Sequence, residues 1–470
     1  MKKSILSSYF QGVQDTTQGQ DYARITAYFI PEFITAVVLY SVPLLIDAHM
    51  IACLKSTPAY ATLGVTNTLL HFIVKIAEAL SVGTIVLTGQ YNGMQDFKKA
   101  GSVLINAFWS TVIVGTVIAS ALFFGAHAIY YWYGVPEQMI ELGIPFLKLR
   151  AIGIFFTFIY FAFIGFLRGI KNTQIPMVTF VAGSVVFLFF DYVLIFGKCG
   201  FPELQLQGSA WATVIQYGFM CVASVLYVLL STEMKRYTIN LFSCFTSLQQ
   251  VKQLFVLSWP VVIDKGTLAA SYLWLGKCLA PMGTCVIASF AVIKDLERFG
   301  LLPAIAFAQV ITFLVSNDLG RQDWNGIKVT LKKILLLSSI MTLSVLFFCS
   351  LFPTAVIRVF DIKGEFTDFA AYIFPFMSAL AFFDVVQLIL AGALRGAANV
   401  KMVMWTRLIV CGGVFMPLSY YFSQLPMTNQ TLKFMLIYGS LYLGNAIMGA
   451  IYIKRFRNQE WIKQALRNSA

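Results

Sequence analysis

The chain has 470 residues, of which 59% are hydrophobic and only 12% charged, and it carries a net charge of +13. A soluble domain holds roughly 25% charged residues, so there are too few charges here to cover a water-facing surface. With a mean hydropathy of +0.77, this excludes a soluble enzyme, a disordered chain and a nucleic-acid-binding domain. A transmembrane β-barrel does not fit either, because its strands alternate in hydrophobicity and the apolar stretches here are long and continuous.

A helix needs about 20 apolar residues to cross a bilayer. Residues 1–25 are polar and mixed and show no cleavable signal pattern, so the first helix is expected to act as an uncleaved insertion signal. In chain order the hydropathy predicts twelve spans: 27–53, 60–88, 101–126, 143–167, 175–197, 208–230, 253–277, 284–315, 329–352, 367–393, 400–422 and 431–453. The longest connection, 231–252, contains Lys235, Arg236 and a polar run from Thr246 to Gln250. It reads as a cytoplasmic linker between an N-terminal six-helix bundle (1–230) and a C-terminal one (253–470). Pro31, Pro43, Pro260 and Pro303 fall in or near predicted helices, where a missing backbone donor allows a bend.

The two halves repeat. Gly165-Phe166-Leu167-Arg168-Gly169 matches Gly392-Ala393-Leu394-Arg395-Gly396, and Gly93-Met94-Gln95-Asp96-Phe97 matches Gly320-Arg321-Gln322-Asp323-Trp324. The offsets are 392 − 165 = 227 and 320 − 93 = 227. Six spans per half is an even number, so both halves start on the same face, as in parallel repeats related by a pseudo-twofold axis. Transporters built this way bind substrate between the halves, near the midplane.

The basic residues follow topology. The N-terminal tail, the even-numbered connections and the C-terminal tail hold roughly 22 of the 34 Lys and Arg, the positive-inside pattern. Both termini are therefore expected in the cytoplasm. The eight cysteines lie mostly in apolar stretches, with no CxxC and no metal-ligand spacing. They are read as small apolar packing residues, and no metal or cofactor is expected.

Ionisable residues inside spans are costly, ~2.5–3.5 kcal/mol each at a helix centre, so they mark function or pair with one another. Asp191 follows the apolar run Val185 to Phe190 and has no base within a turn; such a carboxyl is suited to exchanging a proton. Asp384 sits near Gln387 and also lacks a local base. Asp47 lies late in the first span, as an interfacial carboxylate or a coupling site. His71, Lys75 and Glu78 share one helix face. Lys294, Asp295, Glu297 and Arg298 form a denser set, and Asp264 adjoins Lys265. These groups are either self-neutralising pairs or a cavity-lining network for an anionic or zwitterionic group. Tyr160 is a candidate aromatic contact for a cationic substrate.

Several motifs carry a family resemblance: Leu45-Ile46-Asp47-Ala48-His49-Met50, Gly89-Gln90-Tyr91-Asn92-Gly93, Leu167-Arg168-Gly169, Asp191-Tyr192-Val193, Ala280-Pro281-Met282-Gly283 and Asp384-Val385-Val386-Gln387. In this order they resemble the multidrug and toxic compound extrusion (MATE) transporters of the MOP flippase superfamily. The resemblance implies an all-α polytopic protein of two six-helix bundles. It also implies Asp47 as a cation or proton site, Asp191 as its partner and Asp384 as the acid of the second bundle. The family often places Asn where Phe187 stands and Glu where Leu268 stands; these departures favour H⁺ over Na⁺.

The expected function is secondary active efflux, exchanging cytoplasmic amphipathic or cationic compounds for H⁺ or Na⁺ by alternating access. The alternative is a flippase for a lipid-linked saccharide or other anionic amphiphile. The expected partners are a small-molecule substrate and the lipid bilayer, with no nucleic acid. The protein is expected to act as a monomer in the plasma membrane, the inner membrane of a bacterium.

Overall fold

The computed structural model describes residues 5–15, 18–40, 42–243, 245–361, 364–458 and 461–462. Among these residues there is no strand, and twelve helices are long and apolar enough to cross a membrane. The helices are α1 Ile5–Gln14, α2 Tyr22–Tyr40, α3 Val42–Cys53, α4 Thr57–Gly93, α5 Phe97–Tyr133, α6 Glu137–Gly169, α7 Gln174–Phe196, α8 Leu206–Leu230, α9 Leu248–Leu279, α10 Thr284–Gly300, α11 Leu302–Gly320, α12 Trp324–Leu351, α13 Pro353–Arg358, α14 Thr367–Gly396, α15 Val400–Val410, α16 Met416–Gln424 and α17 Gln430–Arg457.

One expected span divides: the eighth, 284–315, becomes α10 and α11, and α11 is the membrane-length piece. The first, 27–53, is covered by α2 and α3. Pro303 stands in the first turn of α11, where its missing N–H would have no helical partner in any case. Hydropathy averages over this break because both pieces are apolar. The eleventh span also changes character after α15, through a single π-helical turn at Cys411–Phe415. Elsewhere helices outrun the predicted spans. At 1.5 Å per residue, the 37 residues of α4 reach about 55 Å, beyond the ~30 Å hydrocarbon core. Polar caps set such ends: Ser56 accepts from the Ala59 N–H, Asp96 from Lys99, Asp323 from Gly326 and Asn429 from Leu432.

The chain forms two compact units, Ile34–Trp259, and Met1–Phe33 with Pro260–Ala470. In the first, α6 packs on α4, α5 and α8, and α7 packs on α8. The segment expected as a linker lies along α5. The Trp109 indole donates to the Ser243 carbonyl (2.9 Å), Asn106 Oδ1 accepts from the Thr246 N–H (2.9 Å), and Arg236 stacks on Phe97 and Tyr237. In the second unit, α14 packs on α11, α12 and α17. The N-terminal residues join it: Lys333 Nζ donates to the Gln18 and Gln20 carbonyls (3.3 and 3.1 Å), and Phe29 stacks on Phe307.

The repeat read from the sequence recurs in backbone and contacts. Gln95 and Gln322 both take a left-handed turn (φ 62° and 60°), as do Lys171 and Ala398 (66° and 57°). A Cβ on Gly165 would lie 2.8 Å from the Ser81 carbonyl oxygen, and one on Gly392 would lie 2.7 Å from that of Ala308. Since 308 − 81 = 227, the same pair of helices closes backbone to backbone at the same register in each unit. Thr312 adds an inter-helix bond, its hydroxyl lying 3.0 Å from the Gly392 carbonyl.

Candidate functional site

In the first unit, α8 organises a charged cluster. A Cβ on Gly208 would lie 2.7 Å from the Leu194 backbone, so glycine lets α8 approach α7 one turn beyond Asp191. Ser209 and Thr213 follow on one face of α8, four residues apart. The Ser209 hydroxyl donates to Asp47 Oδ1 (2.7 Å). Arg150, on α6, donates from Nη1 to Thr213 Oγ1 (2.6 Å) and from Nη2 to Asn67 Oδ1 on α4 (3.0 Å). The Thr213 hydroxyl donates onward to the Ser209 carbonyl (3.1 Å). The structure therefore buries Asp47 inside the unit. Asp191 is fully buried, and neither carboxyl oxygen has a hydrogen-bond partner. Asp47, Asp191 and Arg150 interact electrostatically.

The second unit holds a different arrangement. Asp264, on α9, is clamped by two guanidinium groups: Arg395 Nη2 on Oδ2 and Arg407 Nε on Oδ1, each at 2.5 Å. On α14, Asp384 accepts from Asn445 Nδ2 of α17. Glu297, on α10, accepts from the Tyr438 hydroxyl of α17. Glu297 Oε1 and Asn445 Oδ1 are buried without a partner, and Glu297 interacts electrostatically with Asp384. Asp384 and Glu297 thus form a second acidic pair, and Arg407 of the Asp264 clamp interacts electrostatically with Asp384.

The remaining candidates disperse. Lys75 and Glu78 pair at 2.7 Å with Glu78 buried, while His71 on the same helix is exposed. Lys294 lies 3.6 Å from Asp295. Asp295 and Arg298 are exposed on α10 while Glu297 turns inward, because residues two apart in a helix point to different faces. Lys265 is half-buried. Tyr160 is buried, its hydroxyl 2.6 Å from Thr179 Oγ1 and its ring against Phe180.

Three residues escape the sequence reading. Arg150 stands near the start of a predicted span and reads as a topology marker. Arg395 belongs to the repeated motif and reads only as part of it. Arg407 lies well inside the span expected at 400–422, so the intramembrane cost of a charge is the signal that finds it. Among the described residues, no three His, Cys, Asp or Glu side chains gather as metal ligands would.

Among the described residues, twelve membrane-length helices, an internal repeat and buried carboxylates in each unit define a polytopic membrane protein. The MatE family model matches residues 33–193 and 260–421, and the chain belongs to that family, which is one of transporters and not of enzymes. The two matched stretches begin 260 − 33 = 227 residues apart, the offset of the repeat.

A Thermotoga maritima protein described as a probable multidrug resistance protein NorM is 23% identical over 344 residues, 73% of this chain and 74% of that one. The multidrug resistance protein NorM of Photobacterium profundum is 22% identical over 437 residues, 92% of this chain and 94% of its own. A crystal structure of MATE in the bent conformation superposes with a TM-score of 0.84 at 17% identity, covering 95% of this chain and 97% of that one, and so shares the fold.

Proposed function

We propose that this protein is a secondary active multidrug efflux transporter that exchanges cytoplasmic amphipathic or cationic compounds for H⁺ by alternating access. One observation carries the reading: Asp191 is fully buried with both oxygens unpartnered, beside Asp47 and Arg150. An unpaired carboxylate is expensive inside a membrane, and a proton removes that cost. Loading and unloading Asp191 changes the charge of the first unit, which is what a carrier needs to reset. The relatives' printed names support multidrug compounds as the substrate class. In this reading the protein works as a monomer in the plasma membrane with both termini in the cytoplasm, consistent with the distribution of Lys and Arg.

A second reading, a flippase for a lipid-linked saccharide or other anionic amphiphile, draws support from the buried Arg407 and from Arg150. It is weaker in the second unit, where Asp264 already takes the guanidinium groups of Arg395 and Arg407.

The test is proteoliposome export of cationic dyes against export of lipid-linked sugars, driven by a pH gradient and separately by a Na⁺ gradient. Dye export driven by the pH gradient and abolished in Asp191→Asn is expected. Normal pH-driven export by Asp47→Asn and Asp191→Asn proteins refutes the coupling assignment.

A further inference from the structure

We infer that Arg150 is a tethered counter-ion, a built-in cation that leaves the Asp47–Asp191 site able to take one proton and excludes Na⁺ or another metal cation. This rests on the reading of Asp191 as a coupling residue and goes beyond it, since it concerns which ion the site accepts and why.

The argument begins with charge. Two carboxylates and one guanidinium sum to −1, and a single proton brings the cluster to neutrality. Arginine is not deprotonated in proteins, so its charge cannot be removed to make room. The guanidinium is also pinned. It donates to Thr213 on α8 and Asn67 on α4, and it lies over the Phe146 ring with its centre 5.7 Å from the centroid. Three anchors on three helices leave it little freedom to swing away when a metal ion arrives.

The second part concerns ligands. A hard cation needs several oxygen donors around it. The neutral side-chain oxygens hydrogen-bonded within the cluster are Thr213 Oγ1, Asn67 Oδ1 and Ser209 Oγ. The first two accept from Arg150, and the third donates to Asp47. Two of these three oxygens therefore already face the fixed positive charge, and the carboxyl with both oxygens unpartnered is that of Asp191. A proton needs only that carboxyl. The other titratable groups reaching Arg150 are Tyr217 of α8 and Tyr130 of α5. Tyr130 shares its hydroxyl hydrogen bond with Thr66. No further cation faces the cluster in these interactions.

The acidic pair of the second unit supplies the contrast. The guanidinium in electrostatic reach of Asp384 is that of Arg407, which is already paired with Asp264, and buried oxygens of Glu297 and Asn445 are unpartnered. Any Na⁺ the protein binds is therefore expected there, and must be separated from the first site by mutation.

The experiment measures ²²Na⁺ binding by scintillation proximity on the full chain in nanodiscs at mildly alkaline pH, with choline as the balancing cation. Wild type and Asp191→Asn are expected to bind Na⁺ equally. Arg150→Gln is expected to gain binding that Asp191→Asn removes, with half-saturation about tenfold tighter than any first-site binding in wild type, or ~1.4 kcal/mol. Arg150→Lys keeps the charge and is expected to match wild type.

The inference is overturned if wild-type Na⁺ binding falls in Asp191→Asn. It is also overturned if folded, monodisperse Arg150→Gln gains none. Should Arg150→Gln not fold, the wild-type and Asp191→Asn pair decides alone. Proton-driven dye export, measured separately, tests the coupling role of Asp191, so the two failures are distinguishable.

Discussion

Replacing Asp264 by asparagine tests the architecture of the second unit directly. Each oxygen of Asp264 accepts from a different arginine at 2.5 Å, and the side chains of Asp264 and Arg407 are 3% and 4% exposed. Asparagine keeps the shape but removes the charge, and it turns one acceptor into an NH₂ facing a guanidinium donor. Breaking a buried ion pair by removing one partner costs about 3–5 kcal/mol, because the remaining charge is left uncompensated. Arg407 should dominate this loss. Arg395 is 12% exposed, and water relieves part of its cost.

The assay is unfolding of the full chain in mixed micelles titrated with SDS, followed by tryptophan fluorescence. Asp264→Asn is expected to lose about 3–5 kcal/mol of stability. The triple replacement Asp264→Leu, Arg395→Met and Arg407→Met removes the charges together and should return to within about 1 kcal/mol of wild type, since buried pairs exchanged for apolar groups are often neutral. If Asp264→Asn unfolds within about 0.5 kcal/mol of wild type, the value expected of an uninvolved surface site, the clamp does not hold this unit together.

Two further outcomes are expected. Gly392→Ala places a Cβ 2.7 Å from a backbone carbonyl of α11, so it should destabilise by about 1–3 kcal/mol. Gly165→Ala should do the same in the first unit, whereas Gly439→Ala, with nothing within 4 Å, should be neutral or slightly stabilising; equal effects at all three sites in the same unfolding assay would contradict the close-approach argument. The other outcome concerns Asp361, in the loop before α14. Burial pushes its carboxyl up, but the N–H of Phe366, the Thr367 hydroxyl and the N–H groups of Glu365 and Gly364 outweigh this and hold it below the usual carboxylate range. A carboxyl depressed on folding stabilises above its unfolded value, near 3.9, and that contribution is lost as pH falls through the lower folded value. Asp361→Asn should therefore melt below wild type at neutral pH, and the gap should close as the pH falls through that window. A gap that stays constant would show that the carboxylate charge is not what matters.

The sequence alone determined the number of spans, their order and the repeat. Insertion into a bilayer depends on apolar content summed along some twenty neighbouring residues, and that sum needs no knowledge of the fold. The 227-residue offset was equally legible, and it reappears as matching turns at Gln95 and Gln322 and matching helix contacts at Gly165 and Gly392. The buried carboxylates Asp47, Asp191 and Asp264 were visible as charges in apolar surroundings.

Their partners were not visible. Arg407 meets Asp264 across 143 residues, and Ser209 meets Asp47 across 162. Such meetings depend on which helices pack together and at what rotation. A rotation of one residue turns a helical side chain by about 100°, enough to separate Glu297 from Asp295 and Arg298 on the same helix. Hydropathy is a property of segments and survives averaging; pairing depends on rotational phase and neighbours, which only the packed structure supplies.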